Sequence, residues 1–334
     1  MATTDIKTVL QPDPASPALQ LTSLPAPVYD PAGDAALVRV HAASPCKGEL
    51  GWEVAFPSLF PKDRLRIPGT EGAGVVVSAP ASSAFKTGDD VFFRLDARYP
   101  GALRELTLVP LSFLAAKPAQ LSWTEAAATP LSSLTAYQGL FSQSAELDGG
   151  ALADGAEAEK QKNKGKTVLI TGASGGVGSW ALKLAAAAGV GRIIGVCSAS
   201  KAAAATGYGA TEVVAYNGDG VAQWVAKNGG SVDLILDAAG SDLGALWPAL
   251  RAGGSFLSVA ADPSATKPEG ATPGKAAWFL VDPSGKDLTE IARLITARGW
   301  TPLVDSVVPF EEVQAAYEKT DGGRTNGKVV VTVP

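Results

Sequence analysis

Histidine and cysteine are almost absent from this chain. Its 334 residues hold one histidine, His41, and two cysteines, Cys46 and Cys197. A single histidine excludes mechanisms built on a pair of them, such as His-pair zinc hydrolases and His-rich iron sites. Two cysteines exclude a disulfide scaffold and a four-cysteine zinc site, and they suit a reducing compartment. Long apolar runs are missing too: no stretch approaches the ~20 unbroken apolar residues of a membrane span. The opening MATTDIKTVLQPDPASP lacks the basic start and apolar run of a signal peptide. The expectation is a cytoplasmic protein with no membrane partner. Charge is thin and slightly acidic, with 28 Lys and Arg against 33 Asp and Glu, a net charge of −5. Such a surface is poorly suited to a polyphosphate backbone, so nucleic acid is not expected as a partner.

Aromatics make up only 7% of the chain while hydrophobic residues reach 46%, too many for a disordered protein. Alanine and glycine fill the difference, which suits tight packing of helices on a sheet. At about 150 residues per domain, the length predicts roughly two domains. Up to about residue 130 the chain reads as short strands broken by Pro and Gly: 36–41 (ALVRVH), 74–78, 90–94 and 106–109. Thr87-Gly88-Asp89-Asp90 is turn chemistry. Segments 124–128, with Thr124 as N-cap, and 132–142 have helical composition. The Gly-, Ala- and charge-rich stretch 144–165 is expected to be a solvated loop or a frayed helix. From Lys166 onward strands alternate with helices: strands at 167–171, 192–197, 212–215, 232–236, 255–259 and 278–281, with helices at 177–188, 202–208, 221–228 and 243–252 between them. This alternation predicts a parallel, doubly wound sheet. A helix at 287–298, a strand at 304–308, a helix at 310–320 and a strand at 328–333 complete the chain.

One motif carries most of the chemistry. The strand TVLIT runs straight into Gly172-Ala173-Ser174-Gly175-Gly176-Val177-Gly178 and then into a helix. Glycines let the backbone approach a pyrophosphate, and the helix N-terminus offers free N–H groups and partial positive charge. Strand, glycine turn and helix in that order point to a dinucleotide. An NAD ribose would call for an acidic residue about 20 positions on, yet no Asp or Glu occurs between Ser174 and Thr211. Ser198, Ser200 and Lys201 follow the second strand instead. Hydroxyls and an ammonium suit a 2′-phosphate, which predicts NADP(H) over NAD(H). The alternative is that Ser200 caps the next helix and Lys201 is solvated.

The residues resemble the medium-chain dehydrogenase/reductase superfamily, on its zinc-independent quinone reductase and enoyl reductase side. Matching segments run along nearly the whole chain: Leu37–Ala43 followed by Cys46–Leu50, Ile67–Gly74 (IPGTEGAG), Phe85–Phe92 (FKTGDDVF), Ala126–Tyr137 (AAATPLSSLTAY), Gly172–Gly178, Asp233–Gly240 (DLILDAAG) and Gly327–Val333. The resemblance implies an α/β protein with a GroES-like β-rich catalytic domain (1–131 and 283–334), a doubly wound Rossmann domain that binds NADP (132–282), and a nicotinamide cleft between them. It also implies a monomer or a homodimer joined through edge strands. Zinc alcohol dehydrogenases hold their catalytic metal through a Cys in the 46–50 segment and a His in the P-G-H-E turn. Here Cys46 is present, but Thr70 stands at the histidine position. A threonine hydroxyl is a poor zinc ligand, so no metal is expected.

Without a metal, the resemblance implies hydride delivery to a quinone or to a carbon–carbon double bond conjugated to a carbonyl. Negative charge then builds on the carbonyl oxygen, which calls for a nearby donor. Tyr137, Thr135 and Cys46 are the catalytic candidates. Tyr137 is either an oxyanion or proton donor, or a buried hinge residue. Thr135 either bonds the cofactor or fills space. Cys46, where relatives carry Asn, is either a weak donor or inert. For the cofactor the candidates are Gly172, Ser174, Gly175, Gly176, Val177, Ser198, Ser200, Lys201, Tyr216, Phe279, Leu280, Val281 and Lys328. Trp52, Phe56 and Trp278 are candidate walls for a small hydrophobic enone or quinone. His41 is read as structural. A stand-alone enoyl reductase acting in trans in a polyketide or other secondary-metabolite pathway is the alternative. A non-catalytic NADPH-binding protein is the alternative of another class.

Overall fold

Short β-branched runs build the first part of the chain, as their composition predicts. The computed structural model describes residues 4–240 and 242–334. Its strands run in chain order as β1 (Asp5–Leu10), β2 (Gln20–Pro25), β3 (Ala35–Ser44), β4 (Glu71–Ser78), β5 (Asp90–Arg94), β6 (Leu106–Pro110), β7 (Leu114–Ala116), β8 (Thr167–Thr171), β9 (Arg192–Cys197), β10 (Glu212–Ala215), β11 (Val232–Asp237), β12 (Leu250–Ser258), β13 (Lys275–Trp278), β14 (Val304–Val308) and β15 (Lys328–Thr332). The chain divides into two compact units, Met1–Leu134 with Asp282–Pro334, and Thr135–Val281. Among the described residues no helix is long and apolar enough to cross a membrane.

The first unit is a mostly antiparallel assembly. Its main sheet has the order β14-β15-β3-β4-β5-β7, with β6 also paired to β3. Both chain ends contribute: β15 pairs antiparallel with β3, placing Val331 opposite Ala43. Val38, Val40, Phe93, Leu95, Leu103 and Val331 lie at the centre of one core.

The second unit is a six-stranded sheet in the order β10-β9-β8-β11-β12-β13, parallel throughout. The chain moves outward from β8 through β9 to β10, then crosses to β11 on the other side. Such a reversal opens a ligand crevice beyond the carboxyl ends of the central strands. Leu169, Ile194, Ile235 and Phe256 form the centre of its core.

Several expectations need correction. The N-cap near residue 124 is Ser122, not Thr124: the Ser122 hydroxyl accepts from the Glu125 N–H, and the Glu125 carboxylate accepts from the Ser122 N–H. Segment 243–252 is a helix only at Leu243–Leu246, followed by a 3₁₀ turn at Trp247–Ala249 and then β12. Pro248 has no N–H to donate and its ring blocks the preceding turn. The last strand of this sheet is Lys275–Trp278, not 278–281, because Ser255–Ser258 pairs with those four residues. Leu280 beyond it is 52% exposed. The helix expected at 132–142 is α-helical at Pro130–Tyr137 and π-helical at Gln138–Ser142. Stretch 144–165 departs in part from the expected solvated loop or frayed helix: residues 157–164 form a helix with only Asn163 buried, while Leu147, Ala151 and Leu152 are buried as well. Asn163 anchors it, exchanging hydrogen bonds with the Asp148 backbone at 2.8 and 3.0 Å and donating to Ala188 O at 2.9 Å. Two leucines and one buried amide are enough to dock a segment that composition marks as solvent-exposed.

Candidate functional site

The carboxyl edge of the six-stranded sheet collects the cofactor candidates of the second unit. β8 ends at Thr171, and the chain turns at Gly172, whose φ of 59° lies in the left-handed region that glycine adopts without steric penalty. The helix Gly176–Ala187 follows directly. A Cβ at Gly178 would lie 2.2 Å from Gly172 O, so only glycine allows this close packing of helix on turn. First-turn N–H groups of a helix have no acceptor within it, and here those of Gly176 and Val177 border the turn. A backbone cradle with unclaimed donors and a helix-dipole field fits an anionic pyrophosphate.

The neighbouring strand ends add the rest. Ser198 follows β9, and its hydroxyl lies 3.1 Å from that of Ser200. Ala215 pairs with Cys197 in the β10–β9 register, and the Tyr216 N–H donates to Cys197 O at 3.1 Å. That register brings Tyr216, 58% exposed, to the same edge as Ser198–Lys201. The first carboxylate after the turn, Glu212, begins β10 and so sits at the opposite edge of the sheet. Arg192 at 2.7 Å and the Trp224 indole hold it there. Trp278 ends β13, and Phe279, Leu280 and Val281 follow it at the carboxyl edge. The Phe279 N–H donates to Ser258 O at 3.0 Å. Tyr137 is half-buried with its ring edge-on to Phe141 at 5.3 Å, and Thr135 is 4% exposed.

Sequence reasoning gave no role to three polar residues at this edge. Asp237, fully buried, ends β11 and accepts from the Thr171 hydroxyl that ends β8. It also accepts from the Ser258 hydroxyl that ends β12, at 2.6 Å. The available signal was a polar residue closing each of three strands directly after an apolar pair or triplet.

In the first unit, Cys46, Glu49, Thr70, Glu71, Tyr317 and Lys328 share one buried polar region. Glu49 accepts from the Cys46 N–H at 3.1 Å, the Gly69 N–H at 2.8 Å and the Tyr317 hydroxyl at 2.9 Å. Burial pushes the Glu49 carboxyl up against these hydrogen bonds, and burial beside Glu49 pushes the Tyr317 phenol well above its usual range. The Lys328 ammonium lies 2.9 Å from Glu71 Oε1 and donates to Pro45 O at 2.6 Å. Its charge is therefore already matched within this unit. Burial pushes the Cys46 thiol up to about 11. Trp52, with Glu49, Phe60, Thr70 and Tyr99, lines a cavity of about 10 Å³, room for one water. Phe56 is 37% exposed. His41 stacks on Trp123 at 4.5 Å, a structural contact.

These donors do not fit a zinc ion. Zinc takes deprotonated, uncommitted ligands in tetrahedral array. Glu49 already accepts three hydrogen bonds, Glu71 is paired with Lys328, and Thr70 offers only a hydroxyl beside Cys46. Among the described residues no three His, Cys, Asp or Glu side chains are grouped to hold a metal.

Comparison with known proteins adds four findings. A family profile described as zinc-binding dehydrogenase matches residues 208–331. A protein from Arthroderma benhamiae, named "Probable zinc-binding oxidoreductase, mitochondrial", is 38% identical over 319 residues, covering 94% of this chain and 92% of that one. A quinone-oxidoreductase homolog, chloroplastic, from Spinacia oleracea is 28% identical over 315 residues, covering 91% of each. The solved quinone oxidoreductase from Coxiella burnetii has the same fold, with a TM-score of 0.79 at 22% identity over 99% of this chain and 100% of that one. With 38% identity carried along nearly its whole length, this chain belongs to the medium-chain dehydrogenase/reductase superfamily of oxidoreductases.

Proposed function

We propose that this protein is an NADPH-dependent reductase of a small hydrophobic quinone or enone, working without a metal. The observation that carries the reading is the carboxyl edge of the parallel sheet. It presents a glycine cradle for a pyrophosphate, then two hydroxyls and a lysine where an NAD-binding protein would place a carboxylate. Glu212, the first acid after the cradle, is committed at the far edge to Arg192 and Trp224.

A reduced dinucleotide with its pyrophosphate held at the cradle would supply a hydride for an electron-poor carbon conjugated to a carbonyl. The chain's residues hold and orient. Gly172, Ser174, Gly175, Gly176 and Val177 take the pyrophosphate through backbone groups. Ser198, Ser200, Lys201 and the exposed Tyr216 take the 2′-phosphate, and Phe279–Val281 offer backbone groups to the carboxamide. Lys328, bound to Glu71, supports the fold rather than a phosphate. Tyr137 and Thr135 carry hydroxyls able to donate to an acceptor oxygen that gains negative charge. A Cys46 thiol held protonated is at most a weak donor. Trp278, which ends β13 at the carboxyl edge, would offer apolar contact to the acceptor. The proposed location is the cytoplasm, which cell fractionation checks against the mitochondrion and chloroplast in the names of two relatives.

The test is NADPH oxidation followed by absorbance against an ortho-quinone, a para-quinone, an α,β-unsaturated ketone and an enoyl thioester, each repeated with NADH. Turnover of a quinone or ketone with NADPH preferred is expected. Turnover of the thioester alone would favour a trans-acting enoyl reductase. NADPH binding with no turnover across the panel would favour a non-catalytic role.

A further inference from the structure

Three loops at the carboxyl edge of the parallel sheet are joined through one side chain. Asp237 Oδ1 accepts from the Thr171 hydroxyl, from the Ala239 N–H at 3.2 Å and from the Gly240 N–H at 3.1 Å. Its Oδ2 accepts from the Ser258 hydroxyl at 2.6 Å and shares the Gly240 N–H at 3.2 Å. Both hydroxyls have their acceptor side engaged as well. Thr171 Oγ1 accepts from the Ala238 N–H at 3.1 Å. Ser258 Oγ accepts from the Ala260 and Ala261 N–H groups at 3.1 and 3.2 Å. The direction of each bond is therefore fixed. The hydroxyls must donate inward, and the group at the centre must accept from every neighbour.

We infer that Asp237 is the positioning residue of the cofactor site, holding the glycine turn and the loops after β11 and β12 in one geometry. The inference rests on the dinucleotide reading of the glycine turn. Only a carboxylate meets the requirement. Asparagine keeps one accepting oxygen and replaces the other with an N–H₂ donor. Turned toward Ser258, that donor faces a hydroxyl whose two lone pairs already accept; turned toward Thr171, it meets the Ala239 and Gly240 N–H groups, donor against donor. The network also explains the tight packing beside it. Gly240 has a φ of 74°, and a Cβ there would lie 2.7 Å from the Ala260 Cβ. A Cβ at Gly172 would lie 3.2 Å from Ala238 O. The loops touch through backbone and small side chains, so their spacing is set by Asp237 rather than by bulky packing.

The test compares wild-type protein with Asp237→Asn and the milder Ser258→Ala. NADPH binding is followed by fluorescence titration, and amide exchange is measured on the ligand-free proteins. Loss of one buried hydrogen bond of this kind is expected to raise the NADPH Kd about tenfold in Asp237→Asn and less in Ser258→Ala. In both variants the Ala239, Gly240, Ala260 and Ala261 amides should exchange faster, while the Leu169 amide in the sheet centre keeps its protection. A merely structural role would lower the melting temperature and leave the Kd of the folded protein and the loop amides unchanged. That result overturns the inference, and Ser258→Ala decides the matter if Asp237→Asn does not fold. Wild-type protein that binds neither NADPH nor NADH would instead overturn the cofactor reading on which the inference rests.

Discussion

Lys328 and Glu71 form a buried ion pair, 2.9 Å from ammonium to carboxylate, with Glu71 fully buried and the Lys328 side chain 11% exposed. The second Glu71 oxygen accepts from the Leu131 N–H at 2.8 Å. Removing one member of such a pair strands the other charge, at about 3–5 kcal/mol. Lys328→Met and Glu71→Gln should each lower the unfolding free energy by roughly that amount, and the double variant should recover most of the loss. Urea denaturation of the single and double variants checks this. Strictly additive losses would show that the pair is not coupled.

Cys46 should be a sluggish nucleophile. Burial holds its thiol up to about 11, and only the thiolate reacts with alkylating agents. Iodoacetamide should label Cys46 slowly at neutral pH, with the rate climbing only as pH approaches that value. Mass spectrometry of the labelled peptide separates Cys46 from the buried Cys197. Rapid labelling of Cys46 at pH 7 would contradict the assignment.

Asp233 links stability to acid. Burial alone would raise its pKa, but the Thr167 N–H at 2.8 Å, Arg251 at 2.7 Å and Lys166 outweigh burial and bring it below its ordinary 3.8. A depressed carboxyl pKa adds stability that is present above the unfolded value and is lost as pH falls through the folded one. Wild-type stability should therefore decline below about pH 4, with a shallower decline in Asp233→Asn. Melting curves across that range test it, and parallel slopes for the two proteins would refute the link.

Gly178 leaves no room for a methyl group. Overpacking typically costs about 1–3 kcal/mol, and here the displaced element is the helix N-terminus that borders the phosphate turn. Gly178→Ala should weaken NADPH binding roughly tenfold to a hundredfold. Fluorescence titration measures the change, and an unaltered Kd would remove the turn from the site.

The order of strands, the glycine turn and the alternation of the second half were legible because period and punctuation are local signals. Residues 167–171, 192–197 and 212–215 coincide with β8, β9 and β10. Reading failed where a non-local partner decided. Nothing in the composition of 144–165 shows that Asn163 would find the Ala188 carbonyl. Helical composition at 250–252 yields to the pairing of Leu250 with Val232 on β11. Lys328 reads as a candidate for the cofactor until the fold places Glu71 beside it. Asp237, Thr171 and Ser258 lie far apart in sequence, and their shared network exists only once β8, β11 and β12 lie side by side.

The central claim is hydride transfer from NADPH without a metal, and turnover of metal-stripped protein tests it most directly. Protein dialysed against a strong chelator, with its zinc content measured, is assayed with NADPH and the acceptor that performs best in the panel. The account predicts zinc far below one per chain and an unchanged kcat/KM. Stoichiometric zinc, with activity lost on its removal and restored on its return, would contradict it.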